Sequence, residues 1–177
     1  MMIRTGVMDL ATGRILKLPT MVRDMTGASV PLPPLAPLQQ LMLRDSLAEE
    51  DAGHHVEQVE IQFSAGVWRD GVPAAWRETV ARTEVLGIAF LTDGGNPSGI
   101  EFVEPPAIST ENELPESWES WLASDRKRSL LAAHGVPWRV TCWPAAGRMV
   151  WTFHHALLDG RSITRILQGF LARVAGE

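Results

Sequence analysis

Cysteine is nearly missing from this sequence: Cys142 stands alone among 177 residues. A single thiol excludes an internal disulfide framework and fits a reducing compartment. A basic cluster is missing too. The 16 Lys and Arg are outnumbered by 21 Asp and Glu, giving a formal charge of −5, so the chain has no electrostatic footprint of a nucleic-acid binder. No apolar run approaches the roughly 18 residues of a membrane span. The opening Met1-Met2-Ile3-Arg4-Thr5-Gly6-Val7 lacks the sustained apolar stretch of a signal peptide. Internal repeats, low-complexity tracts, a G-x-S-x-G elbow, a P-loop and a dinucleotide-binding fingerprint are all absent. What remains is a cytoplasmic globular domain with neither nucleic acid nor membrane as partner. Its 45% apolar and 21% charged residues are ordinary for that class, and its length suffices for one hydrophobic core.

Residues 1–32 read as an N-terminal extension or linker of mixed polarity that runs into Pro31-Leu32-Pro33-Pro34, with a short hairpin turning near Asp9 to Arg14. The prolines disfavour helix up to that point. A helix is expected from Leu38 to about Glu49. Val59, Ile61 and Phe63 alternate with Gln58, Glu60 and Gln62, the period of a half-buried strand. Pro73 suits a first helical turn, and Trp76, Val80 and Thr83 follow at helical spacing. Strands at Gly87–Leu91 and Gly99–Val103 flank a turn at Asp93 to Pro97. A helix is expected from about Pro115 to Ala133, with Trp118, Trp121 and Leu122 on one face. Trp138–Trp143 and Arg148–Phe153 read as paired strands. In the last segment Ile163, Ile166, Leu167, Phe170, Leu171 and Val174 fall on one helical face, with Ser162 as N-cap. Helices alternating with strands predict an α/β fold, an α+β two-layer sandwich whose mixed sheet is covered by helices.

Chemistry concentrates in Phe153-His154-His155-Ala156-Leu157-Leu158-Asp159-Gly160, between an apolar strand and an amphipathic helix. By strand parity His155 shares a face with Trp151 and Phe153, while His154 shares the other with Val150 and Thr152. Only one of the pair can face a substrate. A neutral imidazole takes a proton from an amine or hydroxyl nucleophile near neutral pH. Asp159 is placed to brace the loop through a cation, and Gly160 relieves the backbone as the chain enters the helix. Taken alone, His154, His155 and Asp159 also suit a purely structural strand end. His54-His55 has no Asp-Gly after it and reads as strand-entry polarity. Cys142 reads as a core thiol. These histidines and Cys142 show no metal-ligand spacing, so no metal is expected.

The stretch HHALLDG resembles the HHxxxDG signature of the chloramphenicol-acetyltransferase-like superfamily, and in particular of condensation domains of non-ribosomal peptide synthetases. Two further stretches agree in the family's order. Pro34-Leu35-Ala36-Pro37-Leu38-Gln39-Gln40-Leu41-Met42-Leu43 resembles the opening "PLSPMQQGML", and Arg82-Thr83-Glu84-Val85-Leu86-Gly87-Ile88-Ala89-Phe90 resembles "RHExLRTxF". Ser124-Asp125-Arg126 and Pro137-Trp138-Arg139-Val140 echo the segments ahead of the histidine motif. The resemblance implies that residues 33–177 are the N-terminal lobe of a condensation domain. In that family His155 would be catalytic, acting on the acceptor amine as it attacks a donor thioester. His154 and Asp159 would be largely structural, and Gly160 would keep the acceptor side open. Acyl groups would arrive on the phosphopantetheine arms of peptidyl or aminoacyl carrier proteins, with no cofactor bound by the domain itself.

Two departures from the family pattern follow. The arginine that pairs with the motif aspartate is replaced by Gly87, so Asp159 is expected to pair with Arg82 or Arg139 instead. The family's second lobe and later motifs are absent from this chain, which is therefore expected to be inactive alone and to seek a C-terminal lobe or to self-associate. Competing readings are an ester-forming acyltransferase of the wax-ester-synthase or polyketide-associated type, and a non-catalytic lobe that binds carriers or partner domains.

Overall fold

A computed structural model describes residues 34–176 other than 65, 66, 69, 70 and 133, together with the backbone of four short strands ahead of them. In that leading segment β1 (Gly6–Met8) pairs antiparallel with β2 (Ile15–Lys17), and β3 (Met21–Arg23) with β4 (Ser29–Pro31). The turn expected at Asp9 to Arg14 lies outside the described residues.

From there the chain alternates. Helix α1 (Pro37–Ala48) leads to β5 (Val56–Gln62), α2 (Gly71–Ala81), the hairpin β6 (Ile88–Asp93) and β7 (Asn96–Phe102), and the short β8 (Ser109–Thr110). Then follow α3 (Trp118–Lys127), β9 (Trp138–Trp143), β10 (Arg148–His154) and α4 (Gly160–Ala175). The central sheet has the order β5-β10-β9-β8. Its first two pairings are antiparallel and β8 runs parallel to β9, so the sheet is mixed, as expected.

Period-2 alternation divides the sheet into two differently furnished faces. On one side Trp138, Val140, Cys142, Met149, Trp151 and Phe153 join Trp76 of α2 and Phe170 of α4 in the main core. Trp76 lies at the centre, with its ring 5.2 Å from both Trp151 and Phe170 in edge-on contacts. Burial of aromatics of this size contributes about 2–3 kcal/mol each. The other face carries polar groups and is covered by α3. There Trp143 packs edge-on against Trp118 and Trp121, and Gln58 Nε2 donates to the Leu122 carbonyl at 3.2 Å. A smaller cluster of Leu35, Leu43, Phe90 and Ala156 seats α1 beside the end of β10.

Helix α3 is shorter than the expected Pro115–Ala133. Ser117 caps its start by accepting from the Ser120 N–H. At its end Arg128 turns extended (φ −70°, ψ 119°) and returns its guanidinium to Asp125 Oδ1 at 3.0 Å. Between β9 and β10 a 3₁₀ turn over Pro144–Ala146 closes on Gly147 in the left-handed region, φ 64°. No helix among the described residues is long and apolar enough to cross a membrane.

Candidate functional site

The site forms where β10 runs out. His154 is the last strand residue, and its peptide N–H donates to the Pro137 carbonyl at 2.9 Å. The next N–H, from His155, reaches the His55 carbonyl at 2.7 Å, after which the chain turns, with the Leu157 N–H on the His154 carbonyl. His54-His55 is thus more than polar punctuation at a strand entry, because its backbone anchors the motif.

The two imidazoles have opposite fates, as strand parity anticipates. His154 is 1% exposed and wholly engaged. Its Nδ1 accepts from the Ala156 N–H at 3.0 Å, which leaves the proton on Nε2 to donate to Ser46 Oγ at 2.9 Å. Ser46 in turn donates to the His54 carbonyl at 2.9 Å. Burial, with lesser contributions from the charges of His55 and His155, pushes the His154 pKa down to about 4. A neutral, saturated imidazole of this kind shapes the loop and cannot take a proton from a substrate.

His155 is half-buried and lines an open cavity of about 320 Å³ together with Leu38, Gln39, Met42, Leu157 and Ser162. Gln39 ties the cavity walls together. Its Oε1 accepts from the Ala36 N–H at 2.9 Å at the start of α1, while its Nε2 donates to the Ala156 carbonyl at 2.9 Å. The opening "QQ" stretch and the histidine motif therefore meet through this side chain. His155 Nδ1 lies 3.0 Å from Glu57 Oε1, off the line of a good hydrogen bond. Sequence reasoning passed over Glu57. Its signal was available: it occupies the β5 parity of Val59 and Ile61, where an apolar residue would be ordinary.

Asp159 corrects two expectations. It is the N-cap of α4, accepting from the Ser162 N–H at 2.8 Å, so Ser162 is a first-turn residue and not the cap. Hydrogen bonds from the Ser162 N–H and hydroxyl, aided by Arg161, hold its carboxyl below the usual range. Among the described residues neither Arg82 nor Arg139 pairs with it. Arg82 lies at the exposed end of α2 and reaches Glu78 one turn earlier at 2.7 Å. Arg139 projects to the α3 side of β9 and binds Asp125 through Nε at 2.8 Å, with its other nitrogens on the Asp125 and Arg128 carbonyls. The expected pairing fails because Asp159 is solvated and needs no cation, whereas the buried Asp125 does.

Gly160 opens α4, and a side-chain carbon placed there would meet nothing within 4 Å. At Gly87 the carbonyl accepts from the Val103 N–H at 2.8 Å, and a side-chain carbon would come within 3.3 Å of the Val103 oxygen. Cys142 is buried, and its thiol is pushed up to about 12 by desolvation, so it is inert. Among the described residues no group of three or more His, Cys, Asp or Glu is arranged to hold a metal.

No protein-family model matches the chain. It is 31% identical over 154 residues to one of the linear gramicidin synthase proteins of Brevibacillus parabrevis, covering 78% of this chain and 2% of that protein. It is 25% identical over 167 residues to the nonribosomal peptide synthetase sidC of Aspergillus fumigatus, covering 88% of this chain and 4% of that protein. The starter condensation domain of rhizomide synthetase RzmA superposes with a TM-score of 0.58 at 14% identity, over 79% of this chain and 36% of that one. The first condensation domain of the calcium-dependent antibiotic synthetase superposes with a TM-score of 0.55 at 22% identity, over 77% of this chain and 35% of that one. The chain thus spans a small part of those synthetases and about a third of the solved condensation-domain chains. Its sequence is similar to stretches of non-ribosomal peptide synthetases, and its fold is part of the chloramphenicol-acetyltransferase-like fold of their condensation domains.

Proposed function

We propose that residues 33–177 form the N-terminal lobe of a condensation domain in which His155 assists amide formation between two carrier-bound substrates. The observation that carries this reading is the division of labour in the histidine pair. His154 is locked and neutral, while His155 lines an open cavity. An acceptor amine in that cavity would attack the donor thioester carbonyl. The C–N bond forms and the C–S bond breaks; the amine proton passes to His155, and the departing thiolate takes up a proton to become a thiol. The substrates would be acyl or aminoacyl thioesters on the phosphopantetheine arms of carrier proteins, which makes carriers the natural partners and the cytoplasm the natural location. Orienting two such arms requires a second wall opposite His155, so this chain without a second lobe would not turn over. The assay is amide formation from two loaded carriers, with and without a separately supplied second lobe. Turnover by the chain alone would contradict the one-wall argument.

A second reading is a carrier-binding lobe without catalysis. Its support is Asp159, which caps α4 and pairs with neither Arg82 nor Arg139. Carrier binding that survives, with no amide formed even when the second lobe is supplied, would favour this reading over the first.

A further inference from the structure

Glu57 interrupts an apolar row. On its face of β5, Val59 and Ile61 pack into the core, and β10 offers Trp151 opposite Val59 and Phe153 opposite Glu57. One pleat further, the same row brings His155 opposite His55, whose carbonyl holds the His155 N–H. The row thus passes from core to cavity at the Glu57–His155 diagonal.

His155 Nδ1 is sealed from solvent and has no aligned hydrogen-bond partner among the described residues, yet Glu57 Oε1 lies 3.0 Å away. A buried ring nitrogen left unpaired is costly. The Glu57 side chain is 46% exposed and so has freedom to swing into line. An ionised carboxylate only accepts. Nδ1 facing it therefore keeps a proton, which leaves the lone pair on Nε2 of a ring that lines the cavity. The other charged or titratable groups nearby are otherwise engaged. His55 Nε2 lies 3.1 Å from Asp45 Oδ2, His154 is saturated by Ala156 and Ser46, and Asp159 caps α4.

We propose that Glu57 is a positioning residue for His155, fixing its ring orientation and its Nδ1–H tautomer so that Nε2 is the proton acceptor. The proposal rests on the reading of His155 as the base, and its test separates the two. In ¹⁵N-labelled full-length chain, imidazole nitrogen shifts report the tautomer directly. The wild type should show His155 predominantly as Nδ1–H, Glu57→Ala should move it toward the Nε2–H form favoured by free imidazole, and Glu57→Asp should restore part of the wild-type pattern. With a second lobe and two loaded carriers, Glu57→Ala should lower kcat on the order of tenfold with little change in KM. An unchanged tautomer in Glu57→Ala would overturn the role of Glu57. Full activity in His155→Ala would instead overturn the reading of His155.

Discussion

Arg139 Nε stands 2.8 Å from Asp125 Oδ1, joining β9 to α3 beneath the polar face of the sheet. Thr152 Oγ1 donates to the other carboxylate oxygen at 2.6 Å, and Arg128 adds a third donor. Burial alone would raise the Asp125 carboxyl. The hydrogen bonds from Arg139 and Thr152 and the charges of Arg139 and Arg128 outweigh it and leave the group below its ordinary range. Removing one member strands the rest, so Asp125→Asn or Arg139→Ala should cost about 3 kcal/mol in urea unfolding. Because the folded pKa is depressed, this contribution is complete above the unfolded carboxylate value of about 3.9 and fades as pH falls through the folded one. Asp159→Asn should leave the unfolding midpoint nearly unchanged, since asparagine caps a helix as well as aspartate does. A large loss there would mean that Asp159 has a buried partner after all.

Ser46 and His154 should set a second pH dependence. With its pKa lowered to about 4, folded His154 resists a proton that the unfolded chain binds near 6.5. The stabilisation is therefore complete above about 6.5 and is lost as pH falls toward 4, by roughly 3 kcal/mol over the whole window. His154→Asn should flatten that part of the stability profile. Ser46→Ala removes the Nε2 acceptor and should cost about 1–2 kcal/mol at neutral pH. An unchanged slope between pH 6.5 and 4 in His154→Asn would assign the effect to another group.

Gly147 should not tolerate alanine. It holds φ at 64°, and an added side-chain carbon would lie 2.8 Å from the Phe63 carbonyl oxygen, a backbone atom that cannot swing aside. Left-handed strain alone costs about 1 kcal/mol, and the clash adds to it. Gly147→Ala should therefore lower the midpoint clearly, whereas Gly94→Ala, also at positive φ but with nothing within 4 Å, should show the strain alone.

Much of this fold is legible in the sequence because its signals are local. The alternation in 58–63, the apolar face of α4 and the strand pair around Pro144–Gly147 each follow from spacing within one element. The opposite facing of His154 and His155 also follows from strand parity. Less legible are the pairings that tertiary structure decides. Arg139 looks as available to Asp159 as to Asp125 until α3 is laid across β9. Ser162 and Asp159 are both good capping residues, and the choice turns on where the first helical turn starts. Glu57 breaks the apolar parity of Val59 and Ile61 in the sequence itself, but that its neighbour is His155 emerges only when β10 is set beside β5.

The central claim is that His155 serves amide formation while its neighbour His154 serves the fold. The direct test supplies a second condensation-domain lobe and two loaded carriers to the wild type, His155→Ala and His154→Asn, and measures peptide product alongside urea stability. The predicted result is loss of product in His155→Ala at nearly wild-type stability, and loss of stability in His154→Asn. Product at the wild-type rate from His155→Ala would contradict the account.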